Sequence, residues 1–198
     1  YRLLFTMDKH LITSLVFLLV FRALAFSAGS IYSINKQQTF GNITHEDGLS
    51  QSSVYCILQD SLGFMWFGTD DGLNKYDGYK FTVYRNNPDD STSLSNNVIY
   101  SIYEDTDGNL WTGTEGGLNK FDRKKEKFTC YQNQADNPQS LGSNIVWSIY
   151  EDAGGDLWIG TLYGGLNKFD RNKEKFTRYL NQLDNPNSIS NNNVWSIY

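Results

Sequence analysis

Acidic side chains in short polar stretches are the residues of this sequence that could most readily do chemistry. Residues 105–109 read Asp-Thr-Asp-Gly-Asn, which is similar to the start of a calcium-binding loop. The stretch lacks a third ligand before its glycine and a distal glutamate, so we interpret it as a turn. Adjacent carboxylates such as Asp70-Asp71 could exchange protons with a substrate. They lie at a predicted turn, however, and no repeated acid–base role follows from them.

The nucleophiles and metal ligands that enzymes use are sparse in this chain. The two histidines are His10 and His45, and the two cysteines are Cys56 and Cys130. They form no cluster with the spacing of a metal site, and no Ser-His-Asp set accompanies them. The sequence therefore predicts no catalytic residue, no metal and no cofactor in this part of the protein.

Aromatic and amide side chains are the candidates for ligand binding. Three links rich in Asn, Gln, Asp and Ser recur along the chain, for example QNQADNPQSLGSN at 132–144. Their simplest use is to cap loops through side-chain hydrogen bonds. The same amides, beside Trp147 or Tyr163, could also hydrogen-bond and stack against a polar ligand such as a sugar. These two residues are our candidate ligand contacts.

The elements that position these residues repeat three times. The stretches MWFGTDDGLNKYD, LWTGTEGGLNKFD and LWIGTLYGGLNKFD recur at intervals of about 45 to 48 residues, a period typical of propeller blades. Each unit has four strand signals joined by short turns, the first turn opening on an aspartate. The sequence predicts an all-β fold, a β-propeller of three four-stranded blades plus the first strand of a fourth, and therefore an incomplete propeller.

Residues that recur in every unit are predicted to serve the architecture. Tryptophans fill the wedge between neighbouring blades, glycines two residues later allow close backbone approach, and asparagines recur in the third strand. These structural residues are Trp66, Trp111, Trp158, Gly68, Gly113, Gly160, Asn74, Asn119 and Asn167. Recognition is expected where the units differ, as at the turn that holds Tyr163.

The N-terminus has the three-part pattern of an export signal. Lys9 precedes an apolar run that ends in small residues, and this run is short for a membrane span. We predict a signal peptide at 1–27, with 1–6 a gene-model extension before Met7. A lead-in at 28–42, blades at 43–90, 91–137 and 138–185, and the start of a fourth blade at 186–198 follow. An uncleaved signal anchor is the alternative.

The repeated motif resembles the two-component regulator propeller repeat. Asp-x-x-Gly-x-x-Trp-x-Gly-Thr followed by Gly-Leu-Asn-Lys is found three times in order, and the match runs from about residue 43 to 198. The resemblance implies the N-terminal part of a hybrid two-component sensor histidine kinase of the Bacteroidetes type. Its blades would be periplasmic and detect a polysaccharide breakdown product. The kinase, and any phosphorelay to DNA, would lie beyond these residues, which contain no motif for phosphotransfer.

This resemblance also defines the expected partners. They are an oligosaccharide or other small polar ligand and the rest of the same chain, namely further blades, a membrane helix and the kinase; homodimer formation is left open. Net charge is −5 without a basic stripe, so nucleic acid is not expected as a partner. Two alternatives stay open: a secreted propeller that binds or degrades polysaccharide, and a sensor with another output such as a diguanylate cyclase.

Overall fold

The computed structural model describes residues 42–198, and the predicted signal peptide lies outside them. The described chain is almost entirely β-structure. A single turn of 3-10 helix at His45–Asp47 precedes twelve strands. The strands are β1 Val54–Gln59, β2 Met65–Thr69, β3 Gly72–Tyr76, β4 Phe81–Tyr84, β5 Ile99–Glu104, β6 Leu110–Thr114, β7 Leu118–Asp122, β8 Lys127–Tyr131, β9 Val146–Glu151, β10 Leu157–Thr161, β11 Leu166–Asp170 and β12 Lys175–Tyr179.

The strands form three four-stranded antiparallel sheets in simple up-and-down order. Strands β1 to β4 make the first sheet, β5 to β8 the second and β9 to β12 the third. The first strands β1, β5 and β9 lie beside one another, so each sheet packs on the next as a blade with its first strand innermost. This arrangement confirms the predicted all-β propeller fold with three complete blades.

Residues 194–198 repeat the beginning of a blade. The Val194 amide donates to the carbonyl of Thr161, and Trp195 stacks on Trp147 of the third blade. They do not form a strand, since no second strand within residues 42–198 lies alongside to pair with them.

Aromatic rings fill the space between neighbouring blades. Trp66 of blade 1 is fully buried, with its ring centroid 5.5 Å from that of Phe121 in blade 2. Trp111 of blade 2 is 1% exposed and lies 5.8 Å from Phe169 in blade 3. Trp158 has the same position in blade 3 but is only half-buried, because no further complete blade within residues 42–198 covers its outer side.

A β-bulge interrupts the first strand of every blade at the same position. In the ladders, Gly68 pairs with Cys56, Gly113 with Ser101 and Gly160 with Ser148, and the register shifts just before each of these partners. The residues left unpaired by the shifts are Tyr55, Tyr100 and Trp147. A bulged residue leaves the regular alternation of the strand and aims its side chain elsewhere.

The glycine opposite each bulge is required by crowding. A Cβ atom at Gly113 would meet the Ser101 Oγ and Val146, including the Val146 backbone carbonyl at 2.7 Å. A Cβ at Gly160 would likewise meet the Val194 carbonyl at 2.7 Å. These glycines therefore allow the first strand of the next blade to approach closely.

Candidate ligand-binding site

The blades have two different faces, and they divide structural from candidate functional residues. One face, which we call the clamp face, carries the turns after the first strands and the β7–β8 and β11–β12 hairpin ends. The other, the link face, carries the turns between the second and third strands and the polar links between blades.

Two arginines join neighbouring blades at the clamp face. Arg171 of blade 3 binds the Asp105 carboxylate of blade 2 at 2.8 Å and the Glu151 carboxylate of its own blade at 2.6 Å. Arg123 of blade 2 binds Asp60 of blade 1 and Glu104 in the same way. We call each set of one arginine and two carboxylates an arginine clamp.

The aspartate of each clamp is also the start of the predicted turn. One oxygen of Asp105 accepts hydrogen bonds from the amides of Asp107 and Asn109. The other accepts the indole N–H of Trp111 at 2.8 Å as well as the Arg171 guanidinium. Donors of the protein itself thus occupy both oxygens, and the turn interpretation of 105–109 holds.

The clamps should make stability depend on acidic pH. Burial alone would raise the pKa of Asp105 and Asp60. Hydrogen bonds from Trp111 and Asn109 at Asp105, and from Arg123 and Trp66 at Asp60, more than offset it and hold each pKa below 3.8. Because the folded pKa is lowered, this stabilisation is complete above about pH 4 and is lost as the pH falls through the folded pKa.

We therefore expect the urea concentration at the unfolding midpoint to drop as the pH falls from about 4 to 2. In Asp105→Asn this midpoint should depend less on pH. Urea titrations of both proteins at several pH values measure this. A wild-type midpoint that stays constant between pH 5 and pH 2 would contradict the assignment.

The recurring asparagines tie each link to the blade that follows it. The Asn119 side chain is fully buried, and its Oδ1 accepts the backbone N–H of Ser95 at 3.0 Å. Its Nδ2 donates to the Ser95 Oγ at 2.9 Å. Asn74 binds Ser50 in the same way, and Asn167 Oδ1 accepts the amide of Gly142. Each of the three asparagines thus fixes the backbone of the link that precedes its blade.

The bulged aromatic residues form a continuous row along the inner edge of the blades. Tyr55 and Tyr100 have ring centroids 5.6 Å apart, and Tyr100 meets Trp147 edge-on at 6.5 Å. Trp147 in turn stacks on Trp195 with centroids 3.4 Å apart. We call Tyr55, Tyr100, Trp147 and Trp195 the inner aromatic row. It is accessible at both ends, where Tyr55 is 51% and Trp195 67% exposed.

Two carboxylates border this row at the link face. The Tyr100 hydroxyl donates to Glu115 Oε1 at 2.6 Å. The pKa of Tyr100 is raised, chiefly by burial and secondly by this hydrogen bond. The Asp70 carboxylate raises the pKa of Tyr55 chiefly by hydrogen bonding. Asp70 and Glu115 hold the same place in the β2–β3 and β6–β7 turns. The third blade has Leu162 there.

The two predicted ligand contacts have different surroundings. Trp147 belongs to the inner aromatic row, and one face of its ring is covered by Trp195. Tyr163 lies in the β10–β11 turn, 73% exposed and with a positive φ of 66°. Its amide donates to Asn193 Oδ1 at 2.9 Å. Both residues lie at the link face, but no side-chain contact joins them.

Sequence reasoning missed the row and the clamps. The first strand of each blade contains a bulge, which the expected strand signals did not include. The mid-strand glycines were a usable signal, since glycine within a strand often marks a bulge. The β7–β8 hairpin end carries the exposed Lys124 and Lys125, whereas the arginines of the hairpin ends, Arg123 and Arg171, are largely buried in the clamps. Recurrence of Arg directly after Asp was the available signal there.

Together, the stacked four-stranded blades with their recurring junctions define a β-propeller repeat protein. A family model described as the two component regulator propeller matches residues 48–71, 93–116 and 140–163, each match covering the first two strands of one blade. The chain therefore carries the two-component regulator propeller repeat, which confirms the resemblance read from its motif.

Comparison with individual proteins finds members of two-component systems. Over 77 residues the chain is 53% identical to histidine kinase P4 of Formosa agariphila. It superposes on the extracellular domain of a hybrid two-component system from Bacteroides thetaiotaomicron with a TM-score of 0.71 and 33% identity over 78% of this chain. A second such domain from that organism gives a TM-score of 0.61 and 31% identity over 72%.

The chain matches only a small part of each relative. It covers 6% of the Formosa kinase and 22% and 21% of the two solved extracellular domains. Residues 42–198 contain no helix with the length and hydropathy of a membrane span.

Proposed function

We propose that these blades are part of the periplasmic ligand-sensing region of a hybrid two-component signalling protein. The ligand would be a breakdown product of a polysaccharide. Its binding would control a histidine kinase encoded together with these blades. Similarity to extracellular domains of hybrid two-component systems supports the sensor role, and similarity to a histidine kinase supports the output.

The inner aromatic row is the observation that carries the proposed ligand. Sugars expose an apolar C–H face and a rim of hydroxyl groups. Aromatic rings supply a complementary apolar surface, and carboxylates and amides supply hydrogen-bond acceptors and donors. The row combines the rings of Tyr100 and Trp147 with Glu115, and the link amides lie at the same face.

Ligand binding can change the output only if it favours one arrangement of the protein over another. The row crosses all three blades and reaches the start of a fourth. A ligand bound along it would therefore favour one packing of neighbouring blades. This packing, or the packing of two protomers, is the element we propose the ligand shifts.

Transcription in the native bacterium tests this proposal. The wild-type strain and a strain lacking the gene are grown on a panel of purified polysaccharides, and transcripts of glycan-utilisation genes are measured. We expect induction by one polysaccharide to be lost in the deletion strain and restored by the intact gene. Unchanged induction on every polysaccharide would overturn the sensor role. The secreted-propeller alternative predicts normal induction but loss of polysaccharide binding or breakdown outside the cell.

A further inference from the structure

We infer that the inner aromatic row binds an oligosaccharide without acidic groups and discriminates against uronate and sulfated sugars. This inference deepens the proposed function and rests on it. It states that the ligand is uncharged. This selectivity depends on the carboxylates that border the row and on the scarcity of basic residues on the link face.

The first step is the placement of the rings. A bulge at one repeated position removes Tyr55, Tyr100 and Trp147 from the regular ladder, and their rings meet in sequence across three blades. Each of these blades carries the same irregularity. The wedge between blades is filled separately, by Trp66 and Trp111 and their neighbours. The row therefore adds an aromatic surface that the core between blades does not require.

The second step is the charge that borders the row. Glu115 is exposed and engages Tyr100 through Oε1. Asp70 has the equivalent position in the β2–β3 turn of blade 1. A carboxylate has about four lone-pair sites, so each can accept further hydrogen bonds from sugar hydroxyls. Neither carboxylate forms a salt bridge among residues 42–198. A ligand along the row would thus meet two uncompensated negative charges.

The third step is the scarcity of positive charge on the link face. The links at 86–98, 132–145 and 180–193 contain no Lys, Arg or His. They hold four aspartates, which are Asp89, Asp90, Asp136 and Asp184.

The cations that reach this face are already engaged. Arg85 binds Asp71 through two hydrogen bonds, at 2.8 and 3.0 Å. Arg178 donates to the carbonyls of Asn137, Ser140 and Leu141. His45, near Asp71, has its Nδ1 2.9 Å from the carbonyl oxygen of Leu49. Recognition of carboxylate or sulfate groups relies on free Arg or Lys side chains, and neither arginine here is free.

The size of the expected discrimination follows from Coulomb's law. We consider a sugar whose carboxylate lies about 6 Å from each of two protein carboxylates in water. Its affinity should be roughly tenfold lower than that of the sugar with a hydroxymethyl group at the same place. Exclusion of water would increase the ratio, whereas salt would reduce it.

Matched oligosaccharides test this inference directly. The protein produced from its native gene is applied to an array of neutral trisaccharides and their uronate counterparts. One pair is β-1,4-mannotriose and the β-1,4-mannuronate trimer, which differ only at C6; cello- and glucurono-oligosaccharides and sulfated disaccharides complete the set. We expect the bound glycans to be neutral. Selection of uronate or sulfated glycans would overturn this inference while leaving the sensor proposal intact. Absence of glycan binding would overturn both.

Variants then place the selectivity at the row. We expect Asp70→Asn with Glu115→Gln to raise affinity for the uronate counterpart of the bound glycan about tenfold and to change neutral affinity by less than about threefold. The matched control is Asp122→Asn with Asp170→Asn, which removes the same charge from the clamp face and should leave the ratio unchanged. Equal ratios for wild type and the row variant would overturn the inference. Circular dichroism of each variant confirms that it is folded.

Discussion

Replacing Arg171 with methionine should lower the free energy of unfolding by about 3 kcal/mol or more. Methionine keeps much of the apolar stem but removes the guanidinium. The Asp105 and Glu151 carboxyl groups, whose side chains are 0% and 1% exposed, would then be buried without a counter-charge. Loss of one partner from a buried ion pair is costly because the remaining charge has been removed from water. Urea unfolding monitored by tryptophan fluorescence measures the change.

Arg85→Met is the matched control for this substitution. Arg85 also binds an aspartate through two hydrogen bonds. Its pair with Asp71 is largely solvent-exposed, at 46% and 42%, and such pairs contribute about 1 kcal/mol or less. A second variant, Arg171→Met with Glu151→Gln, should recover part of the loss. Similar effects for Arg171→Met and Arg85→Met would show that the clamp contributes no more than a surface ion pair.

Asn119→Ala should lower the free energy of unfolding by about 2 to 3 kcal/mol. The substitution leaves the Ser95 amide without its acceptor and the carbonyls of Thr112 and Gly117 without the Nδ2 donor. Each unsatisfied buried polar group costs about 1 to 3 kcal/mol. The link into blade 2 should also become mobile, which hydrogen exchange of the Ser95 amide would detect.

Asn172→Ala provides the comparison for Asn119. Asn172 lies at the exposed end of the β11–β12 hairpin, where its backbone amide rather than its side chain makes the hydrogen bond, to Asp170. We expect a change within about 0.5 kcal/mol. If Asn119→Ala proves equally neutral, water or a rearranged link must replace its hydrogen bonds, and the asparagine would not be essential to the junction.

The fold was predictable because the same pattern of strands and turns occurs three times in the sequence. Trp66, Trp111 and Trp158 recur with their neighbours, and this regularity reports the shared demands of stacked sheets. The order of the blades followed from the repeat, and the turns followed from their residues. The burial of Trp158 did not follow, because it depends on a neighbouring blade and not on the unit itself.

The candidate site was harder to predict because it depends on a departure from regular structure. Alternation assigns Tyr100 to one face of a strand, whereas the bulge aims it along the inner edge. Trp147 was selected as an aromatic residue beside a polar link, whereas its stacking on Trp195 depends on two blades meeting. The clamps escaped prediction for a similar reason, since Arg123 and Asp60 are 63 residues apart. This ion pair forms only where blade 1 and blade 2 meet.

The arginine clamps also make the two sides of a blade different. Each arginine reaches back to the aspartate of the preceding blade, and Asp152 of blade 3 offers its carboxylate to a blade that would follow. Blade 1 has Gly78 where blades 2 and 3 have Arg123 and Arg171. Asp152 of one copy therefore could not form the same clamp with blade 1 of another. Identical units that repeat one complementary contact can assemble into open filaments, and Gly78 removes this contact from blade 1.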